Sequence, residues 1–226
     1  VLMVLVGAVF IMGPAEILAG ITPHSLNMTF WVWVVFMYYV LATMLPIDKI
    51  IGKIYPLFGF TLLFMAIGLI TALIVKGYKI PELTFSTLGN FHADAEKFPV
   101  FPMMFITIAC GAISGFHSTQ SPLMARCIKN ETLGRRVFYG AMISEGIVAM
   151  IWAAIGMSFY GGIRELNDMM TAHEGNAAYL VNEISNSLLG KFGGIIALLG
   201  VVAAPITSGD TAFRSARLTV ADIFSF

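Results

Sequence analysis

A group of polar side chains interrupts a long apolar run near the middle of the chain. Hydroxyl, amide and imidazole groups come from Ser114, His117, Ser118, Thr119, Gln120 and Ser121, beside Gly111, Gly115 and Pro122. They donate and accept hydrogen bonds without a fixed charge, which suits a small polar solute or an ion stripped of water. In lipid, unpaired backbone must be enclosed by protein or wetted by a cavity. We therefore expect Ser114, His117, Gln120 and Ser121 to line a transport pathway, with Gly and Pro opening the helix.

Two alternatives stay open for this polar segment. Arg126 follows Ser121 by only five residues, and a helix rises about 1.5 Å per residue, so the segment also fits a polar helix end at the cytoplasmic surface. His117 titrates near neutral pH, which makes it a candidate for proton coupling. It is equally consistent with a neutral histidine that forms hydrogen bonds between helices.

A second group of candidate residues lies in SGDTAFRSAR, residues 208–217. Ser208 or Asp210 can cap a helix that begins near Thr211, while Asp210 and Arg214 lie one turn apart and Arg217 continues the same face. Arginine binds carboxylates well, so we expect Asp210, Thr211, Arg214 and Arg217 to act in substrate binding or in a gate that closes by ion pairing. The alternative is a surface salt bridge with arginines that anchor the inner end of a span.

Two acids lie inside apolar runs. Glu145 shares a helical face with Ala141, Ala149 and Ala153, and small residues at this spacing favour close helix contact. A charge near the bilayer centre costs at least about 2.5 kcal/mol, so we expect Glu145 to face protein or water and to act in ion or proton coupling. Glu16, after Gly13 and Pro14, is a weaker candidate for the same role, because it can also reach the outer interface.

The composition predicts how these residues are held. The chain is 58% hydrophobic and only 12% charged, and its mean hydropathy is +0.86, values typical of an integral membrane protein. We predict an all-α bundle of transmembrane helices, some of them broken, that forms one domain over residues 1–226. The predicted spans are 1–21, 28–45, 55–75, 98–121, 137–163 and 192–209, with a further helix over 211–224. Because the chain starts at Val1 without a Met, we also expect it to be a piece of a longer polypeptide.

The same composition argues against several other functions. The formal net charge is zero, which gives no reason to expect nucleic acid as a partner, and the sequence contains no nucleophile elbow, phosphate-binding Gly loop or metal-ligand spacing. We therefore expect neither enzyme activity nor a cofactor or metal site. His24, His92 and His173 are interpreted as loop residues, and Cys110 and Cys127 as packing residues.

The strings ITIACGAISGFHSTQSPLMAR, GRRVFYGAMISEG and GDTAFRSAR resemble the carbon starvation protein A family of bacterial inner-membrane transporters. The motif positions that match are Ser114, Gly115, Phe116, His117, Asp210, Arg214 and Arg217. The resemblance implies uptake of peptides or pyruvate, and a bundle with an inverted repeat and broken helices, similar to the amino acid, polyamine and organocation superfamily. Family members are longer than this chain, so we expect part of the transporter to lie outside it.

Together these observations predict a secondary active transporter, coupled to protons or to another ion such as sodium. The resemblance implies small carboxylates such as pyruvate, or short peptides, as its substrates, and the bacterial inner membrane as its location. The alternative is a starvation sensor or a structural membrane subunit that moves no solute. Neither the oligomeric state nor the exact substrate follows from the sequence.

Overall fold

The computed structural model describes residues 2–23, 25–44, 55–82, 84–92, 94–112, 115–173 and 175–224, and for residues 110–120 it describes the backbone alone. In this part of the chain the regular structure is entirely helical. The eight α-helices are α1 (Leu2–Ile21), α2 (Met28–Met44), α3 (Tyr55–Val75), α4 (Val100–Ala112), α5 (Gly115–Cys127), α6 (Gly140–Phe159), α7 (Ile163–Ala172) and α8 (Ala177–Ile223). Short 3-10 turns occupy Phe85–Thr87 and Glu131–Leu133, and a π-helical turn, Arg135–Tyr139, leads into α6.

Four of these stretches are long and apolar enough to cross a membrane: Met3–Ile21, Tyr55–Val75, Glu131–Phe159 and Ala177–Ile223. The apolar helices Met28–Met44 and Val100–Ala109 are shorter. An α-helix satisfies its backbone hydrogen bonds internally, which is why an apolar helix is stable in lipid. The predicted all-α membrane bundle is confirmed.

The longest helix, α8, is the centre of the bundle and corrects one prediction. We expected a span to end at Gly209 and a new helix to begin near Thr211 with Ser208 or Asp210 as its cap, but α8 is continuous through this segment, with Pro205 inside it. The polar residues are accommodated because their side chains find partners without leaving the helix: the Thr211 hydroxyl donates to the Ser208 carbonyl at 2.9 Å. Asp210 is therefore a residue of the helix interior.

A break in α8 occurs instead at Gly190. Its backbone has φ 71° and ψ 175°, a conformation that a residue with a Cβ adopts only at a cost. A break leaves carbonyl groups of the preceding turn without helical partners, and the Lys76 ammonium, which follows α3, donates to one of them, the carbonyl of Ser187. A break within a long apolar helix is thus present at Gly190, a position from which we did not predict one.

The fourth predicted span, 98–121, also differs from the structure. The polar segment that we expected to open at Gly115 and Pro122 is helical: α5 begins at Gly115 and continues past Pro122 to Cys127. A proline removes one backbone donor, and a membrane helix tolerates that loss when the freed carbonyl finds another partner. Cys127 lies exposed at the end of α5, so the interpretation of this cysteine as a packing residue is wrong.

The core consists of contacts between α8 and the helices around it. The largest buried cluster joins α3, α6 and α8 through Met65, Leu69, Leu73, Ile155, Ile184, Leu188 and Ala197. Two smaller clusters join α1 to α2 and α1 to α8, through Ile11, Val35 and Tyr39 and through Ile17, Leu198 and Val202. At Gly200 the backbones of α8 and α3 come close enough that an added Cβ would lie 2.8 Å from the Thr61 carbonyl oxygen. This packing fixes how α1, α2 and α3 face α8.

The far end of the bundle is tied by polar contacts. The Tyr160 hydroxyl, just after α6, donates to Glu183 of α8 at 2.8 Å. Burial, together with that hydrogen bond, raises the pKa of Tyr160 well above its usual value, so the phenol remains a donor at physiological pH. The short helix α7 lies between α6 and α8.

Candidate functional site

An ion pair lies inside the helix bundle, on one face of α8. Arg214 Nη2 is 3.3 Å from Asp210 Oδ1, and the relative exposures of the two residues are 3% and 0%. The four-residue spacing places both side chains on one face of the helix, as the sequence predicted. The alternative of a surface salt bridge is wrong for this pair, because neighbouring helices cover both residues.

Two other helices supply hydrogen bonds to the pair. The Tyr55 hydroxyl, at the start of α3, donates to Asp210 Oδ2 at 3.1 Å. Arg214 Nη2 also donates to the carbonyl oxygen of Ala42 in α2. Each carboxylate oxygen thus has a donor, and the guanidinium binds both an acid and a backbone carbonyl. Partners of this kind are what a buried pair requires to offset the loss of water.

Tyr39 shapes the helix just before the pair. Its hydroxyl oxygen lies 2.9 Å from the carbonyl oxygen of Phe10 in α1 and 3.2 Å from that of Pro205 in α8, so one phenol links three helices. A Cβ at position 209 would lie 2.3 Å from the Tyr39 hydroxyl oxygen. Gly209 is therefore required by this close approach, and the phenol positions the turn of α8 that carries Asp210.

Two polar atoms of α2, the Tyr38 hydroxyl and the Thr43 hydroxyl, are buried and have no hydrogen-bond partner among the residues that the structure describes. Tyr38 interacts electrostatically with both Asp210 and Arg214. Buried polar groups are normally hydrogen-bonded, so orphaned ones beside an ion pair indicate a place that water or a solute can reach in another state. Thr43 also lines a cavity of about 260 Å³, whose other lining residues are Phe36, Tyr39, Val40, Met44 and Phe213.

The structure separates the other residues predicted from SGDTAFRSAR. Thr211 is buried next to the pair, and its hydroxyl bonds to carbonyls of its own helix. Arg217 is exposed, and so are the residues that follow it to Val220. Arg217 follows Asp210 and Arg214 on one face of α8 but lies beyond the part of that face that other helices cover, so its role in binding or gating stays a prediction.

Glu145 lies far more open than we expected. It is exposed, as are Ala141, Ala149 and Ala153 on the same face of α6, so the helix contact predicted for this face is not made within the described part of the chain. Glu16 is half-buried in α1. Neither acid belongs to the cluster around Asp210.

Most side chains of the polar segment before Pro122 lie outside the described residues. Ser121 is half-buried in α5. Ser114 and the side chains of His117 and Gln120 lie outside the described residues, so their place in a pathway stays a prediction. Among the residues that the structure describes, no three His, Cys, Asp or Glu side chains lie together as metal ligands would.

Sequence reasoning missed Tyr55, Tyr39 and the carbonyl of Ala42. Each lies in an apolar run and is more than 150 positions away from its partner in α8. A tyrosine at the start of a span reads as an interfacial anchor, and nothing local points to a distant acid. The one local signal was the group of polar residues at 208–217 within an apolar run, which requires hydrogen-bond partners from neighbouring helices.

Comparison with known proteins adds an independent line of evidence. The family model described as carbon starvation protein CstA matches residues 1–151. A protein of Haemophilus influenzae named an uncharacterized membrane protein is 40% identical over 220 residues, covering 76% of this chain and 59% of its own length. No solved structure matches the chain.

Two relatives with functional names match shorter stretches. The pyruvate/proton symporter BtsT of Escherichia coli is 34% identical over 117 residues, which is 50% of this chain and 16% of that protein. The peptide transporter CstA of Bacillus subtilis is 33% identical over 147 residues, or 60% of this chain and 25% of that protein. The chain thus spans less than two thirds of the length of each of these relatives. With its several apolar helices, it is a multi-pass membrane protein.

Proposed function

We propose that this chain, which belongs to the carbon starvation protein CstA family, forms part of a secondary transporter that takes up small carboxylates, such as pyruvate, or short peptides. The names of a pyruvate/proton symporter and of peptide transporters among its relatives support this substrate class. The same names and the apolar helices support a transporter rather than an enzyme, and we place it in the bacterial inner membrane.

The observation that carries the proposal is the guanidinium of Arg214, which is buried and bonded to Asp210 of α8 and to the Ala42 carbonyl of α2. Pyruvate and peptides differ in size, but both present a carboxylate. Arginine recognises a carboxylate through paired N–H donors, and the interaction is strong where water is excluded. A single buried arginine therefore accounts for both kinds of substrate named among the relatives.

In this proposal Asp210 holds the position on the guanidinium that a substrate carboxylate would take. A buried charge without its partner is strongly destabilising, commonly by about 3–5 kcal/mol, so Arg214 cannot leave Asp210 unless another anion replaces it. The pair is thus suited to act as a gate that stays closed in the absence of substrate. Ser114, His117, Gln120, Ser121 and Thr211 remain proposed contributors to the rest of the pathway.

The test uses the full-length protein in proteoliposomes. We expect time-dependent accumulation of radiolabelled pyruvate or of a labelled dipeptide, driven by an imposed ion gradient. Arg214→Gln should lower the initial uptake rate about 10- to 100-fold, because a hydrogen bond to a charged group contributes about 1.5–3 kcal/mol. Arg135→Gln, which removes an exposed arginine before α6, is the matched control and should transport as the unaltered protein does.

Two outcomes would contradict the proposal. Unimpaired uptake by Arg214→Gln would remove the buried arginine from substrate recognition. Binding of pyruvate or peptide by the unaltered protein, detected as an increase in its unfolding temperature but without any uptake, would instead support the sensor alternative.

A further inference from the structure

We infer that Asp210 accepts the proton that accompanies the substrate, and that Arg214 binds the substrate carboxylate only while Asp210 is protonated. The inference rests on the proposed function and deepens it, since it assigns the coupling step to a residue of the gate. The observation behind it is that Asp210 and Arg214 satisfy each other in a site closed to water.

The carboxylate of Asp210 and the guanidinium of Arg214 already have hydrogen-bond partners. Both oxygens of Asp210 already accept a hydrogen bond, Oδ1 from Arg214 and Oδ2 from Tyr55. The guanidinium holds Asp210 and the Ala42 carbonyl through the same nitrogen. Because Asp210 already neutralises the guanidinium, a substrate carboxylate that pairs with Arg214 would share one positive charge with it, so acid and substrate compete for one cation.

The net charge of the buried pair changes when a substrate carboxylate binds. Asp210 and Arg214 together are neutral, and a bound carboxylate would add one negative charge that no described neighbour balances. Both residues are buried, so such a charge is strongly disfavoured. One proton on Asp210 restores neutrality. Arginine stays protonated in proteins, which leaves the acid as the member of the pair that changes its charge.

Among the described residues around Asp210, the other titratable groups do not take up a proton near pH 7. The titratable side chains that interact with Asp210 are Arg214 of its own helix, Tyr55 of α3, and Tyr38 and Tyr39 of α2. Tyrosines are neutral near pH 7. In the described part of α1 no acid or base has such an interaction, whereas residues 45–54 and the side chain of His117 in α5 lie outside the description.

The proposed cycle moves one proton and one carboxylate together. When the gate opens to water on one side, a proton binds the oxygen of Asp210 that faces Arg214, and the hydrogen bond between the two residues breaks. The guanidinium, still bound to the Ala42 carbonyl, pairs with the substrate. After the substrate leaves on the other side, Asp210 releases its proton to water there and the pair re-forms. Tyr55 is a positioning residue in this cycle, because its hydroxyl donates to the other oxygen, Oδ2, and so holds the carboxyl group in place and favours its ionised form.

The experiment measures coupling with pyruvate as the probe, in proteoliposomes that hold the full-length protein and a trapped pH indicator. The unaltered protein should import one proton per pyruvate, and its KM should fall at least tenfold between pH 8 and pH 6. Asp210→Asn should abolish proton import and reduce gradient-driven accumulation at least tenfold, with a KM that changes less than twofold over the same range. Asp222→Asn, an exposed acid on the same helix, should behave as the unaltered protein.

A second variant gives the answer if Asp210→Asn does not fold. Tyr55→Phe removes only the hydroxyl that favours the ionised acid, so the pH at which uptake is half-maximal should move to a higher pH. Tyr139→Phe, an exposed tyrosine, should leave it in place. Asp210→Glu, which restores a carboxyl group, should recover proton import.

Each result decides between the two proposals. One proton per pyruvate in Asp210→Asn, or a pH profile that Tyr55→Phe leaves unmoved, would overturn the assignment of Asp210 while leaving carboxylate transport intact. Failure of the unaltered protein to transport any carboxylate would overturn the proposed function itself.

Discussion

The close crossing of α3 and α8 at Gly200 leads to a quantitative prediction. A Cβ at position 200 would lie 2.8 Å from the Thr61 carbonyl oxygen, 3.0 Å from the Thr61 carbonyl carbon and 3.1 Å from the Leu62 Cα. All three neighbours are backbone atoms, which cannot turn away as the end of a flexible side chain can. Gly200→Ala must therefore push the two helices apart by several tenths of an ångström.

The cost follows from two opposing effects. Overpacking of a well-packed interior costs about 1–3 kcal/mol, while Ala is favoured over Gly in a helix by up to about 1 kcal/mol. Gly59→Ala in α3 is a matched control, because a Cβ at position 59 meets nothing within 4 Å. The helix preference is shared by both substitutions and cancels, so Gly200→Ala should be less stable than Gly59→Ala by about 1–3 kcal/mol.

The assay is thermal unfolding of the two purified variants in the same detergent. For a chain of this size each kcal/mol corresponds to about 2–4 °C, so the variants should differ in unfolding temperature by about 2–12 °C. Uptake by Gly200→Ala should fall as well, because the same displacement draws Tyr55 of α3 away from Asp210 of α8. Equal unfolding temperatures would refute the close approach of the two backbones and, with it, this account of how Tyr55 is positioned.

Two further predictions concern α8. Tyr39→Phe should lower the free energy of unfolding by about 0.5–1.5 kcal/mol, since it removes the hydroxyl that reaches the carbonyls of Phe10 and Pro205. Chemical unfolding measures this loss, with Tyr139→Phe as the control. Equal stability of the two variants would contradict the prediction. Gly190→Ala should lower the free energy of unfolding by about 1–2 kcal/mol because position 190 has a positive φ. The control is Gly146→Ala in α6, where a Cβ meets nothing within 4 Å. Equal unfolding temperatures of the two variants would show that the break needs no glycine.

The amino-acid sequence was sufficient for the features that depend on local composition. Long uncharged runs predicted helices that can cross a membrane, because hydrocarbon accepts only backbone that is satisfied within its own helix. The four-residue spacing of Asp210 and Arg214 predicted one helical face, since that spacing is a property of a single helix. The family resemblance rests on contiguous motifs, so the sequence alone was enough to detect it. The family match confirms it.

The features that depend on contacts between helices could not be predicted from the sequence. Nothing near Tyr55 indicates that its hydroxyl meets an acid 155 positions later, or that Ala42 supplies a carbonyl to an arginine. The Gly190 break replaced the one expected after Gly209 because the hydroxyl of Thr211 and the acid at 210 found partners that keep α8 intact. Local spacing fixes which side chains share a helix face, whereas burial and pairing depend on which other helix covers that face, and only the packed bundle determines that.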